Sequence, residues 1–543
     1  MDAYLDNIHD ILQKLKDYLE GNEDEVIATL QSVARGDLDM PETITPKEEE
    51  LFRALCGWMV AKRPTQILAI LQPLLADPNL LSRGITLNDI ESVMPKGLPP
   101  KDIIDTIKTN RRDLIRQALL LVSYIFYDDL HYPQPETSVY DISENSFQKL
   151  KWLYRYWFNQ LEVAEKGAGL EDFLASRVLD FRIVDHPNNY PVSTTSISCA
   201  GDLLAVDVLT PDNTPHLFDE ITDFYSTTDI VSANLESTVD KNSLVGRTQA
   251  SGQPARMNTS EAMFQKFRNE AKINYFSTAT NHAMDWGEQG VLATLDVLKK
   301  SGAYYSGTAA SQAEQDDVVV VDKNGIKVAL LAFTFDLNGY KIPADKPYLA
   351  NEVRFNDADP APDYSLIKKQ VAAAKARGAE WIIAYCHWGW EFEMYPHVNI
   401  REAAHKVIDC GVDTILGNHA HVSQPAEAIP RPGKQDALVV YAFGDFVSYH
   451  PESRNSKLAY IVKFDIVKVY DAIELANLQA LPIYIVNEKL GGTRYDCRIV
   501  KFHDVLKNPD EYGLTELEKS QLPHLEEKVW HAVLSPLARL GTR

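Results

Sequence analysis

The chain has 543 residues, 45% of them hydrophobic, more than one ordinary core accommodates, so two or three folded units are expected. Its 54 Lys and Arg against 77 Asp and Glu give a net charge of −23 with no concentrated basic patch, which argues against a nucleic-acid partner. The longest apolar run, Ala118 to Tyr127, is too short to span a bilayer; the N-terminus lacks a secretory pattern, and the five cysteines form no paired spacing, so a soluble, cytoplasmic protein with no membrane span is expected.

Residues 1–185 read as a helical N-terminal domain. Leu5, Ile8, Leu12, Leu15 and Leu19 repeat at three- and four-residue spacing and form one apolar stripe. Thr45-Pro46-Lys47-Glu48 has a capping residue, a proline suited to the first helical position and a glutamate that reaches back, predicting a helix to about Arg63. The aromatic segment Phe147 to Leu161, with Trp152, Tyr156 and Trp157, reads as packing rather than a ligand platform. Turn formers from Asp185 to Pro191 end this region.

Residues 192–470 read as an α/β domain. Strands are expected over Ile230–Ala233, Ile273–Ser277, Val318–Val321, Ile326–Phe333, Trp381–His387 and Leu438–Phe443. Helices are expected over Glu261–Ala271, Val291–Lys300, Tyr364–Arg377 and Glu402–Cys410, and the alternation implies a buried central sheet. Strands over Leu458–Val469, Ile483–Val486 and Arg494–Lys501 follow. Residues 471–543 are therefore expected to complete or flank the α/β domain, with a final helix opening at the capping box Thr515-Glu516-Leu517-Glu518.

Five polar clusters stand at expected strand ends: Gly201-Asp202, Asn234-Leu235-Glu236, Asn281-His282 with Asp285, His387-Trp388 with Glu391, and Asn418-His419-Ala420-His421. A single histidine at a strand end is commonly structural, and an aspartate there commonly closes a turn. Four of the fourteen histidines falling at three of these ends is what a site built from several loops of one sheet predicts. Nitrogen and oxygen donors without matched cysteines suit Zn, Mn or Fe, and a bridging carboxylate would allow two ions about 3.5–4 Å apart.

In order, GDLLAVD, DIVSANLE, ATNHAMDWGEQG, CHWGWEFEMYP, GNHAHVSQP and YAFGDFVS resemble the motifs of the CapA family, the capsule or poly-γ-glutamate synthesis proteins, which is similar to the calcineurin-like metallophosphoesterases. The resemblance spans about residues 195–450. It implies a metallophosphoesterase-like layered α/β sandwich with one or two divalent ions held by Asp202, Glu236, Asn281, His387, His419 and His421, Glu236 bridging. It implies His282 as the group near the leaving atom, with Asp285 beside it. Trp388, Glu391, Tyr395 and Asp445 are assigned to the substrate pocket, although the aromatic rings could equally wall the site.

The sequence departs from that family at Asn418, at Asp445, where an asparagine is usual, and at Leu204, where the phosphoesterases have the histidine of an Asp-x-His pair; a single-metal site therefore stays open. The expected activity is metal-dependent hydrolysis of a phosphoester or γ-glutamyl amide bond, in a small molecule or an anionic polymer. The alternative is a non-catalytic component that holds an anionic polymer or its synthase, with the helical region as a protein-partner surface. No G-x-S-x-G elbow or G-x-x-x-x-G-K-[ST] loop supports a serine hydrolase or a P-loop ligase.

Overall fold

The computed structural model describes residues 8–38, 40, 41, 44, 46–66, 68, 111–140, 146–158, 161–181, 192–249 and 254–540. The chain divides into two compact units: residues 1–132 with 141–159 and 251–253, and residues 133–140, 160–250 and 254–543.

The described part of the first unit is helical, with helices over Ile8–Arg35, Pro46–Lys62, Arg111–Ile125, Tyr127–His131 and Ser146–Trp157. From Leu15 onward the expected stripe is seen: Leu15, Leu19, Val26, Leu30 and Val33 are buried along one face of the first helix. They share a core with Phe52, Cys56, Met59, Leu120, Tyr124, Tyr154 and Trp157. The aromatic segment is thus packing, with Trp152 stacked on Tyr156 at 5.4 Å. Leu5, Thr45 and the turn segment Asp185 to Pro191 lie outside the described residues.

The second unit holds sixteen described strands: β1 (Val192–Leu203), β2 (Ile230–Leu235), β3 (Gly246–Thr248), β4 (Arg256–Asn258), β5 (Tyr275–Ser277), β6 (Tyr304–Ser306), β7 (Val319–Lys323), β8 (Ile326–Thr334), β9 (Trp381–His387), β10 (Thr414–Asn418), β11 (Ala426–Arg431), β12 (Lys434–Val440), β13 (Asp445–Val447), β14 (Leu458–Val469), β15 (Ala472–Gly491) and β16 (Arg494–Lys501). One sheet runs β16-β15-β14-β1-β2-β5-β6, with β13 joined to the end of β1; the other runs β11-β12-β10-β9-β8-β7, and β3 pairs with β4. The centres of both large sheets are parallel. Every residue of β9 is buried, the mark of a parallel strand covered on both faces. The sheets face each other, with the rings of Tyr275 on β5 and Tyr385 on β9 4.7 Å apart. This is the layered α/β sandwich that the sequence predicts, preceded by a helical region.

The boundary differs from the expected one. Residues 161–181 belong with the sandwich, because Leu161 donates its N–H to the Phe392 carbonyl (3.0 Å) and accepts from Met394 N–H (2.8 Å). β15 runs through 20 residues where a short strand is expected, and β14 to β16 extend the first sheet. The capping box at Thr515 is present, with Glu518 reaching back. Among the described residues, no helix is long and apolar enough to cross a membrane.

Candidate metal centre

Strand register sets the polar ends at one level. Asp202 on β1 is paired with Asn234 on β2 and with Asp445 on β13, while Asn418 on β10 is paired with His387 on β9. Glycine permits the close approach of the first pair: a Cβ at Gly201 would stand 1.8 Å from the Gly444 carbonyl oxygen. His419 (φ 98°) and His421 (φ 52°) both adopt the left-handed region that disfavours side chains, a cost the surrounding structure holds in place at the site.

Asn234 Nδ2 donates to Asp202 Oδ1 (2.6 Å) and lies 3.1 Å from His387 Nδ1. His387 Nε2 is 2.9 Å from Asn281 Oδ1 and 3.5 Å from Glu236 Oε1. On the other side of Glu236, His421 Nε2 lies 3.6 Å from the same Oε1, and His421 Nδ1 is fixed by Asp445 Oδ1 at 2.8 Å. Asp445 Oδ2 accepts from Ser448 (2.7 Å), and the His419 backbone N–H donates to Asp202 Oδ2 (3.2 Å). Two groups of three could each hold an ion, Glu236 with His387 and His419, and Asp202 with Glu236 and His421; Glu236 is common to both.

If all three carboxylates of this cluster ionise, His421 alone does not balance them. Burial, helped by Asp202 and Asp445, holds the Glu236 carboxyl well above the usual carboxylate range although His421 opposes it. Burial likewise pushes Asp202 up to about 7, with His421 lowering it and Asp445 adding to the rise. Burial, reinforced by their histidine neighbours, keeps His387 and His419 far below the ordinary imidazole value, leaving the neutral rings that metal ligation requires. His421 is the exception: burial would lower it, yet Glu236 and Asp445 hold it well above. Both Glu236 oxygens, His419 Nδ1, Asn234 Oδ1 and both polar atoms of Asn418 are buried without a hydrogen-bond partner. Orphaned buried polar atoms of this kind, in a cluster with three carboxylates, fit a divalent ion.

Residues 196–450 match the family model described as bacterial capsule synthesis protein PGA_cap. That segment is similar to the PGA_cap proteins. A capsule biosynthesis protein CapA from Bacillus anthracis is 25% identical over 274 residues, covering 49% of this chain and 61% of that protein. A PGA biosynthesis protein CapA from Bacillus subtilis (strain 168) is 30% identical over 183 residues, covering 34% of this chain and 44% of that protein. The chain therefore spans less than two thirds of the length of either relative. Among solved structures, a novel phosphatase from Mycoplasma pneumoniae overlaps 54% of this chain and 95% of its own, with a TM-score of 0.33 and 14% identity. The calcineurin-like phosphoesterase YfkN from Bacillus subtilis overlaps 62% of this chain and 100% of its own, with a TM-score of 0.32 and 14% identity.

Within residues 196–450, His282 and Asp285 form a buried pair, His282 Nδ1 to Asp285 Oδ2 at 2.8 Å. Asp285 Oδ2 also accepts from Met257 N–H (2.6 Å), which fixes the carboxylate that orients the ring. Glu391 is close enough for its charge to raise both Glu236 and His421. Trp388 is placed in the interior at 1% exposure, its indole N–H spent on the Tyr441 carbonyl (3.0 Å), so it offers substrate no open face; Tyr395 is buried as well. Leu204 packs with Val206 and Met257 and supplies no ligand at its position.

The structure adds two groups that the sequence reading does not single out. His450 lies 3.5 Å from Asp445 Oδ2, its ring 5.0 Å from that of His421, and His421, Asp445 and His450 form a third group able to hold an ion. Asn338 contacts both Asn281 (3.3 Å) and His282 (3.4 Å). His450 stands two residues past the end of YAFGDFVS, in the turn after β13, where no strand pattern marks it; Asn338 follows β8 in a loop without a motif.

Proposed function

We propose that this chain is a metal-dependent hydrolase acting on a phosphoester or γ-glutamyl amide bond, in the making or turnover of a capsule or poly-γ-glutamate polymer. The observation that carries the reading is Glu236, shared by both ligand groups with neither oxygen otherwise bonded. Asp202, Asn281, His387, His419 and His421 complete the proposed ligand set around it. Zn, Mn or Fe bound there would supply a Lewis acid and a water of lowered pKa. His282 is the proton donor to the leaving group: Asp285 holds Nδ1, and Nε2 makes no hydrogen bond among the described residues. Asp445 orients His421 through Nδ1, as carboxylates that accept from a ligating imidazole do. The names of the two CapA relatives support the polymer class; an anionic polymer also suits an assembly role, but a carboxylate-oriented histidine beside a ligand cluster favours turnover.

The test is elemental analysis of purified protein beside Asp202→Ala, His421→Ala and His282→Asn, each assayed for phosphodiester and γ-glutamyl hydrolysis. One or two equivalents of metal, lost in the first two variants, are expected. His282→Asn should keep its metal and lose about 100-fold or more in kcat. Protein that takes up no metal under any loading condition, or turnover unchanged in all three variants, would sink the reading.

A further inference from the structure

Arginines in this acidic domain are usually paired with carboxylates: Arg247 with Asp207, Arg354 with Asp357, Arg401 with Glu427, Arg431 with Asp413 and Arg498 with Asp496. Arg256 is not. Its guanidinium carbon stands 5.2 Å from the Trp286 ring centroid and 5.7 Å from that of Tyr340, and Nε donates to the Tyr340 hydroxyl at 3.0 Å. These contacts hold the guanidinium between two aromatic residues and use its inner N–H; Nη1 and Nη2 make no hydrogen bond or ion pair among the described residues. The Trp286 indole N–H is also buried without an acceptor.

The clamp is built from the elements that carry the chemistry. Trp286 follows Asp285, the partner of His282, and Met257, next to Arg256 on β4, donates its N–H to the same Asp285 carboxylate. Tyr340 stands two residues after Asn338, which contacts both Asn281 and His282. A guanidinium held beside two rings and at Nε keeps its outer fork to present, and that fork matches two oxygens of a carboxylate or phosphate. Because the aromatic clamp has already fixed the side chain, little rotamer freedom is lost on binding.

We propose that Arg256, clamped by Trp286 and Tyr340, is a docking point for an oxyanion of the substrate beside the reaction centre. The proposal rests on the hydrolase reading for the identity of that centre and deepens it: the substrate carries a carboxylate or phosphate oxyanion near the bond to be cut. A phosphoester and a γ-glutamyl polymer both supply one. An uncharged substrate leaves the fork unused.

The experiment is calorimetric titration of inorganic phosphate and of glutarate into metal-treated wild type, Arg256→Gln and Arg256→Lys, with metal content and melting temperature read on the same samples. Wild type is expected to bind at least one anion. Arg256→Gln should weaken that binding by about tenfold or more, the loss of a charged, bidentate contact, and Arg256→Lys, which keeps the charge without the fork, by several-fold. Loss confined to phosphate points to a phosphoester, loss confined to glutarate to a polycarboxylate, and loss of both to a site that reads the shared oxyanion. Wild type that binds neither anion, or variants that bind like wild type, overturns the proposal. If Arg256→Gln melts early, Arg256→Lys decides. Absence of metal in every sample removes the hydrolase reading alone, because the anion titration still reports on Arg256.

Discussion

Asp202 and Asp445 are register partners across β1 and β13, both fully buried, yet their carboxyls move in opposite directions. Burial pushes Asp202 up to about 7. Burial acts on Asp445 too, but His421, His450 and the hydroxyl of Ser448 overcome it and hold this carboxyl below its usual value. Asp445 is thus the anion that orients His421, and Asp202 and Glu236 are left as carboxyls whose ionised forms a histidine alone does not balance. The division follows from position: Asp445 has an imidazole at 2.8 Å, whereas the histidine nitrogens facing Asp202 lie 4.0 Å away.

Glu236→Gln separates metal binding from folding. Burial holds its carboxyl well above the normal range, which favours the neutral form in metal-free protein, and the amide replaces that form nearly isosterically. Metal-free wild type and variant are therefore expected to unfold within about 1 kcal/mol of each other. Wild type should then gain about 2.7 kcal/mol at a metal concentration 100 times Kd, and the variant little of it. Thermal unfolding with and without Zn or Mn reads both. A variant that keeps the full metal response shows that Glu236 is not a ligand.

The strand ends were legible because apolar runs stop abruptly there. β9 is WIIAYCH, buried throughout, and β10 ends on Asn418; in both, the first polar residue after the run is also the residue at the site. Register turned those ends into one cluster, and register is a long-range property that no local pattern encodes. β13 is only three residues long, too short for a period, so Asp445 could be placed near the site only through the family motif. The substrate pocket was read less well. Trp388 follows His387 directly, but its side chain turns into the core, with its N–H on Tyr441 and its ring edge-on to Phe355 at 5.3 Å. Arg256 was invisible for a different reason: two aromatic rings from distant loops define its role.

Gly201→Ala tests the approach of β1 to β13. The added methyl would stand 1.8 Å from the Gly444 carbonyl oxygen and 2.9 Å from its carbon, and both belong to backbone that cannot rotate away. Overpacking of this kind costs about 3 kcal/mol or forces the strands apart. The expected result is a melting temperature several degrees lower, together with weakened metal uptake, since Asp202 and Asp445 separate when the strands do. An alanine variant that melts like wild type and holds metal equally would show that β13 is not fixed against β1 as described.

His131 makes the helical unit sensitive to acid. Its Nδ1 lies 2.9 Å from the Tyr127 carbonyl oxygen, its Nε2 is 2.8 Å from the Tyr154 hydroxyl, and its ring stacks on Tyr127 at 4.1 Å. In the neutral ring, Nδ1–H donates to the carbonyl and Nε2 accepts from the hydroxyl, so both nitrogens are satisfied without a charge. Burial pushes the pKa down to about 4 from the ordinary 6.5, the nearby backbone carbonyl and Asp128 opposing only in part. The unfolded chain therefore binds the proton at higher pH than the folded one. This contribution is fully present above about pH 6.5, erodes as pH falls through the window, and is lost by about pH 4, the loss already reaching about 2 kcal/mol at pH 5. His131→Phe keeps the stack, gives up both hydrogen bonds and removes the titration. It should be less stable than wild type at pH 7.5 but lose less on going to pH 5. Unfolding of the full chain followed at both pH values measures the two drops, and equal drops would assign the acid sensitivity to another group.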